Sequence, residues 1–180
     1  MNIGAWLRRK RPAGPDRTRL SSIEWLEFAP AMFTWYGSDQ TLQLTVKLSG
    51  MRYENGTASV ELQVLDHGLQ IVCVLEGSET DANLYLGNWF IVPPQLRRRG
   101  LASAVLLACL QTFQQAAFGR QLSTQRVRLE GYFVDEGAAF SRAACHGIQP
   151  TKARPALMDL ERMKRSAQKL QMDTPPRSLN

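Results

Sequence analysis

The sequence predicts an α/β domain of the α+β kind, in which a mixed, mostly antiparallel sheet carries flanking helices. Three observations predict it. Residues 41–92 contain four runs of strand character separated by turn sequences, and most of them alternate polar and apolar side chains. Residues 101–118 then repeat apolar side chains every three or four positions, as a helix with one buried face does. Residues 126–133 return to a strand pattern, so this crossover should join two parallel strands in the right-handed sense.

The four strands are predicted at residues 41–48, 58–65, 69–75 and 83–92. The first of them alternates polar and apolar residues throughout, which is typical of a half-buried strand. The Asn55-Gly56 pair before the second strand favours a tight hairpin turn. Further turn sequences follow at residues 66–68 and 77–81. Three close turns in succession indicate an antiparallel meander.

Helices are predicted on both sides of this meander. Ser22 can cap a helix, and Glu24 would lie near its positive end. A short amphipathic helix, interrupted at Pro30, is therefore predicted through the apolar residues Ile23, Leu26, Phe28, Phe33 and Trp35. Beyond the fifth strand, residues 136–145 form an alanine-rich helix and residues 156–170 a helix of mixed charge. We expect Pro175 and Pro176 to follow the last ordered residues.

The chain of 180 residues is 44% hydrophobic and has the length of one domain. We predict a flexible basic arm at residues 1–19, a single domain at 20–150, and a C-terminal helix with a disordered tail at 151–180. The net charge of +6 comes from the two ends, because residues 1–19 hold six basic residues against one acidic. Such ends contact nucleic acid or acidic partners in some proteins and are merely solvated in others. Both interpretations stay open.

The remaining composition points to a cytoplasmic protein. We expect no stretch long and apolar enough to span a bilayer, and no membrane partner. The basic residues near the N-terminus are followed by prolines rather than by the apolar run of a signal peptide. Cys73, Cys109 and Cys145 are odd in number and widely spaced, which fits neither a disulfide framework nor a zinc site. We expect three reduced thiols in the core and no metal.

The most informative stretch runs from Val92 to Ser103, where a buried strand ends in two prolines and a short loop leads into a helix. The first turn of a helix has backbone N–H groups without intrahelical partners, and the helix dipole makes that end positive. Gly100 allows a ligand to approach the backbone, and three arginines add positive charge. We expect such a site to bind a pyrophosphate. Neither a P-loop nor a dinucleotide fingerprint fits the glycine spacing.

This stretch resembles the acyl-CoA-binding signature of the GNAT superfamily of N-acetyltransferases. That signature is a strand ending V-x-P, then an Arg or Gln, then x-x-G-x-G or x-x-G-x-A and a helix. Here the matching residues are Val92, Pro94, Arg97, Gly100 and Ala102, and the likeness covers residues 40–148. The resemblance implies a GNAT-like sheet whose fourth and fifth strands part, and transfer of an acetyl group from acetyl-CoA to an amine. The co-substrate would be held by Ile91, Val92, Arg97, Arg98, Arg99, Gly100, Leu101 and Ala102.

The catalytic groups of the family are matched less well. Members usually have two helices between their first two strands, whereas only residues 50–57 separate two strands here, so the helix at 22–36 could supply the acceptor site. Many members carry a carboxylate on the fourth strand, and residues 83–92 have none. Glu130 is the nearest replacement, although it could instead be a surface carboxylate paired with a neighbouring arginine.

The family's tyrosine, which protonates the leaving thiolate, falls at Ser141 or, by another count, at Ala143. Tyr132 is a third catalytic candidate beside Glu130 and Ser141. Three functions follow as hypotheses: an acyl-CoA-dependent N-acyltransferase, a catalytically inactive GNAT-like binding or regulatory module, and a nucleic-acid accessory protein that acts through its basic ends. The amine acceptor and the oligomeric state are not predicted.

Overall fold

The computed structural model describes residues 28–131, 135–147, 150 and 154–178, and its centre is one eight-stranded sheet. The strands are β1 (Ala31–Tyr36), β2 (Thr41–Glu54), β3 (Thr57–Val64), β4 (Gln70–Gly77), β5 (Asp81–Ile91), β6 (Arg126–Glu130), β7 (Ala156–Leu157) and β8 (Lys169–Thr174). The helices are α1 (Leu101–Phe118), α2 (Asp135–Ala144) and α3 (Leu160–Ser166). In the sheet the order is β7-β6-β5-β4-β3-β2-β1-β8.

The pairing of the strands confirms the predicted fold class. Strands β1 to β5 pair in sequence as an antiparallel meander, and β8 and β7 pair antiparallel at the two edges. Strands β5 and β6, joined through α1, pair parallel. The domain is therefore an α+β fold with a mixed, mostly antiparallel sheet and one parallel strand–helix–strand crossover in the described part. The handedness of that crossover stays a prediction.

The hairpin between β2 and β3 forms where the Asn-Gly pair predicts it. Asn55 and Gly56 have φ angles of 51° and 79°, both in the left-handed region that a type I′ turn requires. The turn brings Glu54 opposite Thr57. In β3 the residues then alternate between buried and more exposed positions up to Val64, so one face of the strand enters the core.

One face of the sheet is covered by helices, and the other is open. Helix α1 packs over β1, β2 and β3, α3 packs against α1, and α2 contacts α3. The covered face holds the core, which includes Phe33, Trp35, Leu44, Leu62, Ile71, Leu84 and Leu129. The open face carries mainly polar side chains, among them Gln43, Lys47, Ser59, Glu61, Asn83, Arg128 and Glu130.

Helix α1 is buried around most of its circumference rather than on one side only. The residues of the predicted apolar repeat are all buried: Leu101, Val105, Leu106, Cys109, Leu110 and Phe113. Further residues around the helix are buried as well: Ala104, Leu107, Ala108, Thr112, Gln114 and Ala117. Its 18 residues have a mean hydropathy of 1.4, which meets the length and composition of a membrane-spanning helix. The expectation that no stretch of the chain does so is therefore wrong. Within the fold, 72% of these residues are buried, as is usual for the core helix of a globular domain.

The predicted helix at residues 23–35 is wrong for its second half, because Ala31–Tyr36 form β1. Ala31, Phe33 and Trp35 are fully buried, whereas Tyr36 is exposed. This spacing of two follows the period of a strand, and β1 pairs with β2 across its whole length. Residues 22–27, where the predicted helix begins, lie outside the described residues, as does the basic arm at 1–19.

The predicted helix at residues 156–170 contains only the seven residues of α3, which is capped by the Asp159 carboxylate accepting from Arg162 N at 2.9 Å. Lys169 and Leu170, which the sequence assigns to this helix, instead begin the strand β8 (Lys169–Thr174), which pairs with β1. The apolar side chains of this segment again follow the two-residue period of a strand. Leu170 lies opposite Trp35, and Met172 lies opposite Phe33. Strands β7 and β8 thus complete the same sheet that residues 31–130 begin.

Candidate functional site

The loop between β5 and α1 turns the chain sharply from the sheet into the helix. Residues Pro94–Leu96 form a single 3₁₀ turn, and α1 begins at Leu101. Two residues between them have left-handed backbones, Arg98 with φ 59° and Gly100 with φ 79°. A left-handed backbone is rare for a residue that has a side chain, such as Arg98. The loop adopts this conformation because it must join the end of β5 to the start of α1.

The first turn of α1 begins at a residue that cannot cap it. Gly100 occupies the N-cap and has no side chain, and its carbonyl oxygen accepts from Ala104 N at 3.0 Å. Ala104 is the first residue whose N–H reaches an acceptor within the helix. The preceding N–H groups, those of Leu101, Ala102 and Ser103, therefore have no intrahelical partner. Leu101 is nevertheless buried and Ala102 only half-buried, so the helix start is partly covered by the fold.

Gly100 also has a packing role that the sequence does not reveal. A Cβ atom at this position would lie 1.7 Å from the carbonyl oxygen of Ser166, at the end of α3, and 3.3 Å from Cα of Ala167. Only glycine lets these two backbones approach so closely. The close contact with α3 therefore accounts for this glycine without any ligand.

Two of the three arginines in the loop have partners inside the protein. Arg97 Nε donates to the carbonyl oxygen of Val92 at 2.8 Å, and Arg99 forms an ion pair with Asp39. Arg98 is exposed. The resemblance implies that Val92 helps to hold the co-substrate, and its carbonyl is already engaged by Arg97. Ile91 is 42% exposed at the end of β5.

The parallel ladder of β5 and β6 is described from Asp81 opposite Arg126 to Tyr85 opposite Glu130. Strand β5 continues to Ile91, whereas residues 132–134, which follow β6 and Gly131, lie outside the described residues. The parting of these two strands, which the resemblance implies for its fourth and fifth strands, therefore stays a prediction. On its other side β5 shifts register against β4, with Leu86 opposite Cys73 but Phe90 opposite Ile71. This irregularity is a bulge in β5, and it begins where β6 ends.

Aromatic rings cover the helix side of the sheet near the end of β5. Phe90 and Phe140, which belongs to α2, have ring centroids 5.2 Å apart. Because Phe90 lies opposite the fully buried Ile71, both rings belong to the face that carries the core. The covered face is therefore filled at this point by these two phenylalanines.

The open face at the same point carries ionisable and polar groups. Tyr85 and Glu130 are the last opposed pair of the parallel ladder, and the pKa of Tyr85 is raised, first by burial of its hydroxyl and then by the negative charge of Glu130. The Tyr85 hydroxyl also interacts with the side chains of Asn83 and Glu130, and Glu76 contributes a further negative charge. Tyr85 therefore holds its proton at neutral pH and can donate it.

Glu130 is not paired with the neighbouring arginines in the way that the alternative interpretation of the sequence requires. Arg126 Nε and Arg128 Nη1 both approach Asp81 Oδ1, at 3.0 and 3.4 Å. The Asp81 carboxylate is the anion that these two arginines neutralise across the β5–β6 ladder. Its pKa is lowered, mainly by the hydrogen bond from Arg126.

The other two catalytic candidates are placed differently. Ser141 is fully buried in α2, and its hydroxyl donates to the carbonyl oxygen of Ala138 at 3.0 Å, so it faces its own helix. Tyr132 lies outside the described residues. Tyr85 is not among the residues that the sequence predicts, because the resemblance implies a carboxylate on this strand. The only signal for it in the sequence is its place at a polar position of the alternating run that begins at Asn83.

In the part of the chain that the structure describes, no group of three or more His, Cys, Asp or Glu side chains could hold a metal ion. Comparison of the chain with models of protein families, with curated proteins and with solved structures finds no match.

Proposed function

We propose that this protein is an acyl-CoA-dependent N-acyltransferase that transfers an acetyl group from acetyl-CoA to an amine by direct attack. The observation that carries the proposal is the loop from β5 into α1, where the helix begins after Gly100 without a side-chain cap and Arg98 is exposed. A diphosphate placed at the helix start and a thioester placed along the end of β5 would be parts of one extended ligand.

The diphosphate end is supported by charge and by backbone donors that have no partner within the helix. The first turn of α1 offers N–H groups at the positive end of the helix dipole, and Arg98 is exposed beside them. Arg99 is only partly neutralised, because its partner Asp39 and the arginine itself are both substantially exposed to water. Arg97 supports the loop by donating to the Val92 carbonyl, and from this position its positive charge also contributes to binding of the diphosphate.

The acyl end is assigned to the backbone of β5 beyond its last described rung with β6, which joins Tyr85 to Glu130. We infer that a pantetheine arm pairs with the edge of β5 that follows this rung. An N–H group of this edge could also donate to the thioester oxygen as negative charge develops on it. Alignment of the amine and the thioester by such contacts is itself worth several kcal/mol, about 7–11 in favourable cases.

Calorimetry with CoA tests the diphosphate site. We expect the wild type to bind CoA and the variant Arg98→Glu to bind it at least about tenfold more weakly, since a positive charge is replaced by a negative one at the rim. Arg120→Glu makes the same charge change at the opposite end of α1 and should leave the affinity unchanged. Gly100 is unsuitable for this purpose, because any side chain there would collide with Ser166. Absence of heat with the wild type contradicts the proposal.

A catalytically inactive CoA-binding module is the second candidate. It is favoured by the placement of Ser141, whose hydroxyl is buried and bonded within α2, and by the engagement of the Val92 carbonyl by Arg97. This candidate predicts that CoA binds as described but that no amine in a panel is acetylated. Mass spectrometry of amines incubated with acetyl-CoA and the protein separates the two.

A further inference from the structure

Strand β8 forms one margin of the sheet. Its inner edge pairs with β1, and in the part of the chain that the structure describes no strand pairs with its outer edge. The side chains of Lys169, Gln171 and Asp173 are exposed. The backbone N–H and C=O groups along the margin of a sheet can pair with another extended chain.

The charges of this strand are placed symmetrically about Gln171. Lys169 lies two residues before it, and Asp173 lies two residues after it. When two copies of one strand pair antiparallel about a two-fold axis, residues at equal distances from the axis lie opposite each other. With the axis at Gln171, Lys169 of each copy lies opposite Asp173 of the other. Opposite charges in this position attract.

The same register also has an apolar side. Leu170 and Met172 lie opposite Trp35 and Phe33, which are fully buried, but they are themselves only half-buried. With the axis at Gln171, Leu170 of one copy lies opposite Met172 of the other on the helix-covered face. The pairing therefore removes further apolar surface of these two side chains from water, which favours association.

Neighbouring registers lack these matches. An axis at Leu170 or at Met172 places one charged residue opposite Gln171, so that neither ion pair forms. The two ends of the strand limit the pairing as well. Gln168 has a left-handed backbone with φ 59°, and two prolines, which have no N–H to donate, follow Thr174.

The two charged groups are oriented within each copy. Asp173 Oδ2 accepts from the Thr34 hydroxyl at 2.7 Å, and Lys169 Nζ lies 5.0 Å from the ring centroid of Tyr36. A carboxylate accepts several hydrogen bonds and an ammonium group donates three, so both groups keep capacity for a partner. A lone charge on an edge strand deters pairing. Two opposite charges at matched distances select one partner, the same strand in reverse.

We propose that two copies of this protein associate through β8, antiparallel about a two-fold axis at Gln171, so that their sheets join into one. The axis is perpendicular to the sheet, and the helices of both copies lie on the same side. This inference goes beyond the proposed acyl transfer and does not depend on it. Because two six-residue strands make a small interface, we expect a dissociation constant on the order of micromolar.

Sedimentation equilibrium of the full chain, from about 1 µM to about 500 µM, measures this association. We expect the wild type to show a monomer–dimer equilibrium. Lys169→Glu and Asp173→Lys should each weaken it at least about tenfold, because each places two pairs of like charges across the axis. The double variant Lys169→Glu/Asp173→Lys restores opposite charges and should associate as the wild type does. Lys47→Glu makes the same reversal on the open face of β2 and should change nothing.

An equimolar mixture of the two single variants gives a second test. In a mixed dimer both facing pairs again have opposite charges. Lys169→Glu should therefore associate with Asp173→Lys at least about tenfold more tightly than either variant associates with itself. A defect in folding cannot produce this result, because the same two chains are poor partners for themselves.

The variant Gln171→Cys tests the register. Residues that face each other in an antiparallel pair have Cα atoms about 4.5–5.5 Å apart, which a disulfide can span. Oxidised glutathione should therefore link this variant into a covalent dimer. Gln43→Cys makes the same change on β2 and should stay unlinked. The native cysteines are buried, so the introduced thiol is the one that reacts.

The outcomes decide the inference. A monomer at every concentration overturns it, and this is the result expected if residues 1–27, which lie outside the described residues, occupy the edge of β8 instead. A dimer that neither single reversal weakens also overturns it, because another surface then forms the dimer. Failure of Gln171→Cys to cross-link faster than Gln43→Cys contradicts the register. Thermal unfolding of each variant confirms that its fold is intact.

Discussion

The indole Nε1 of Trp35 donates a buried hydrogen bond of 2.7 Å to the backbone carbonyl of Ala167. Trp35 belongs to β1, whereas Ala167 is the residue that ends α3 and precedes β8. The preceding carbonyl, that of Ser166, lies against Gly100. The end of α3 is therefore held between the first strand of the sheet and the start of α1, so the loop before α1 is supported by parts of the chain far from it in sequence.

Replacement of Trp35 by Phe should destabilise the protein by about 1–3 kcal/mol, because a buried carbonyl loses its donor and a smaller ring fills the site. Urea unfolding measures the difference. Tyr36→Phe is the control, since this neighbour is 39% exposed and its hydroxyl is not part of the core. Equal stability of the Trp35→Phe variant and the wild type would show that the contact with Ala167 is not maintained in solution.

Replacement of Gly100 by Ala should destabilise the protein more than replacement of Gly119 by Ala. Both glycines have left-handed backbones, at φ 79° and 70°, and they flank the same helix. A Cβ at Gly119 meets no atom within 4 Å, so only the backbone penalty of about 1–2 kcal/mol applies. At Gly100 a collision with the Ser166 carbonyl is added. Thermal melting of the two variants checks the order, and similar melting temperatures would argue against the packing of α3 on this loop.

Replacement of Asp81 by Asn should cost stability at neutral pH but not in strong acid. The pKa of the Asp81 carboxyl is lower in the folded state than in the unfolded chain, chiefly because Arg126 donates to it. Because the pKa is lower in the folded state, the ionised Asp81 carboxylate stabilises the fold at pH values above its pKa in the unfolded chain, about 3.9. This stabilisation disappears as the pH falls through the pKa of the folded state.

Urea midpoints of the wild type and Asp81→Asn, measured at neutral and strongly acidic pH, test this sign. The midpoints should differ at neutral pH and converge in acid. Glu79→Gln removes an exposed pair with Arg120 and should have little effect at either pH. A difference that grows toward low pH would show that the Asp81 charge destabilises the fold.

The three cysteines should resist thiol reagents in the folded protein. Cys73, Cys109 and Cys145 are all buried and free. Burial raises the pKa of Cys145 to about 11, and contact with Cys73 together with burial raises the pKa of Cys109. Because the thiolate is the reactive form, very little of it is present at about pH 8. An aromatic disulfide reagent should detect almost no thiol until denaturant is added, and then three. Fast reaction of one thiol in the native protein would contradict this packing.

The sequence predicts the local structure of this fold better than its tertiary contacts. Strands β3 to β5, the Asn55-Gly56 turn and both ends of α1 follow from alternation, turn chemistry and helical period, all of which are local. Strand β1 was missed because Phe33 and Trp35 can be aligned with a helical stripe when combined with Leu26 and Phe28. Strand β8 was missed because its burial depends on its pairing with β1. It has two alternating apolar residues, Leu170 and Met172, and their neighbours are polar or charged.

The candidate site shows the same division. The loop at residues 94–100 lies where the motif predicts it, between the end of β5 and the start of α1. The opposition of Tyr85 and Glu130 depends on the register of a parallel pair joined through a long helix, and no turn fixes that register in the sequence. The contact of Gly100 with Ser166 likewise depends on how α3 folds back. Pairwise contacts of this kind need coordinates.

The pairing of β8 with β1 has a consequence for how the domain is made. Ala29 N donates to the carbonyl of Arg177 at 2.7 Å, and Thr34 donates to Asp173 although 139 residues separate them. A ribosome delivers β1 well before β8, so the outer edge of β1 stays unpaired while the intervening residues are synthesised. Such an edge is a template for pairing with other chains, and closing so long a loop slows folding. The nascent chain is therefore prone to aggregate through this edge until β8 emerges.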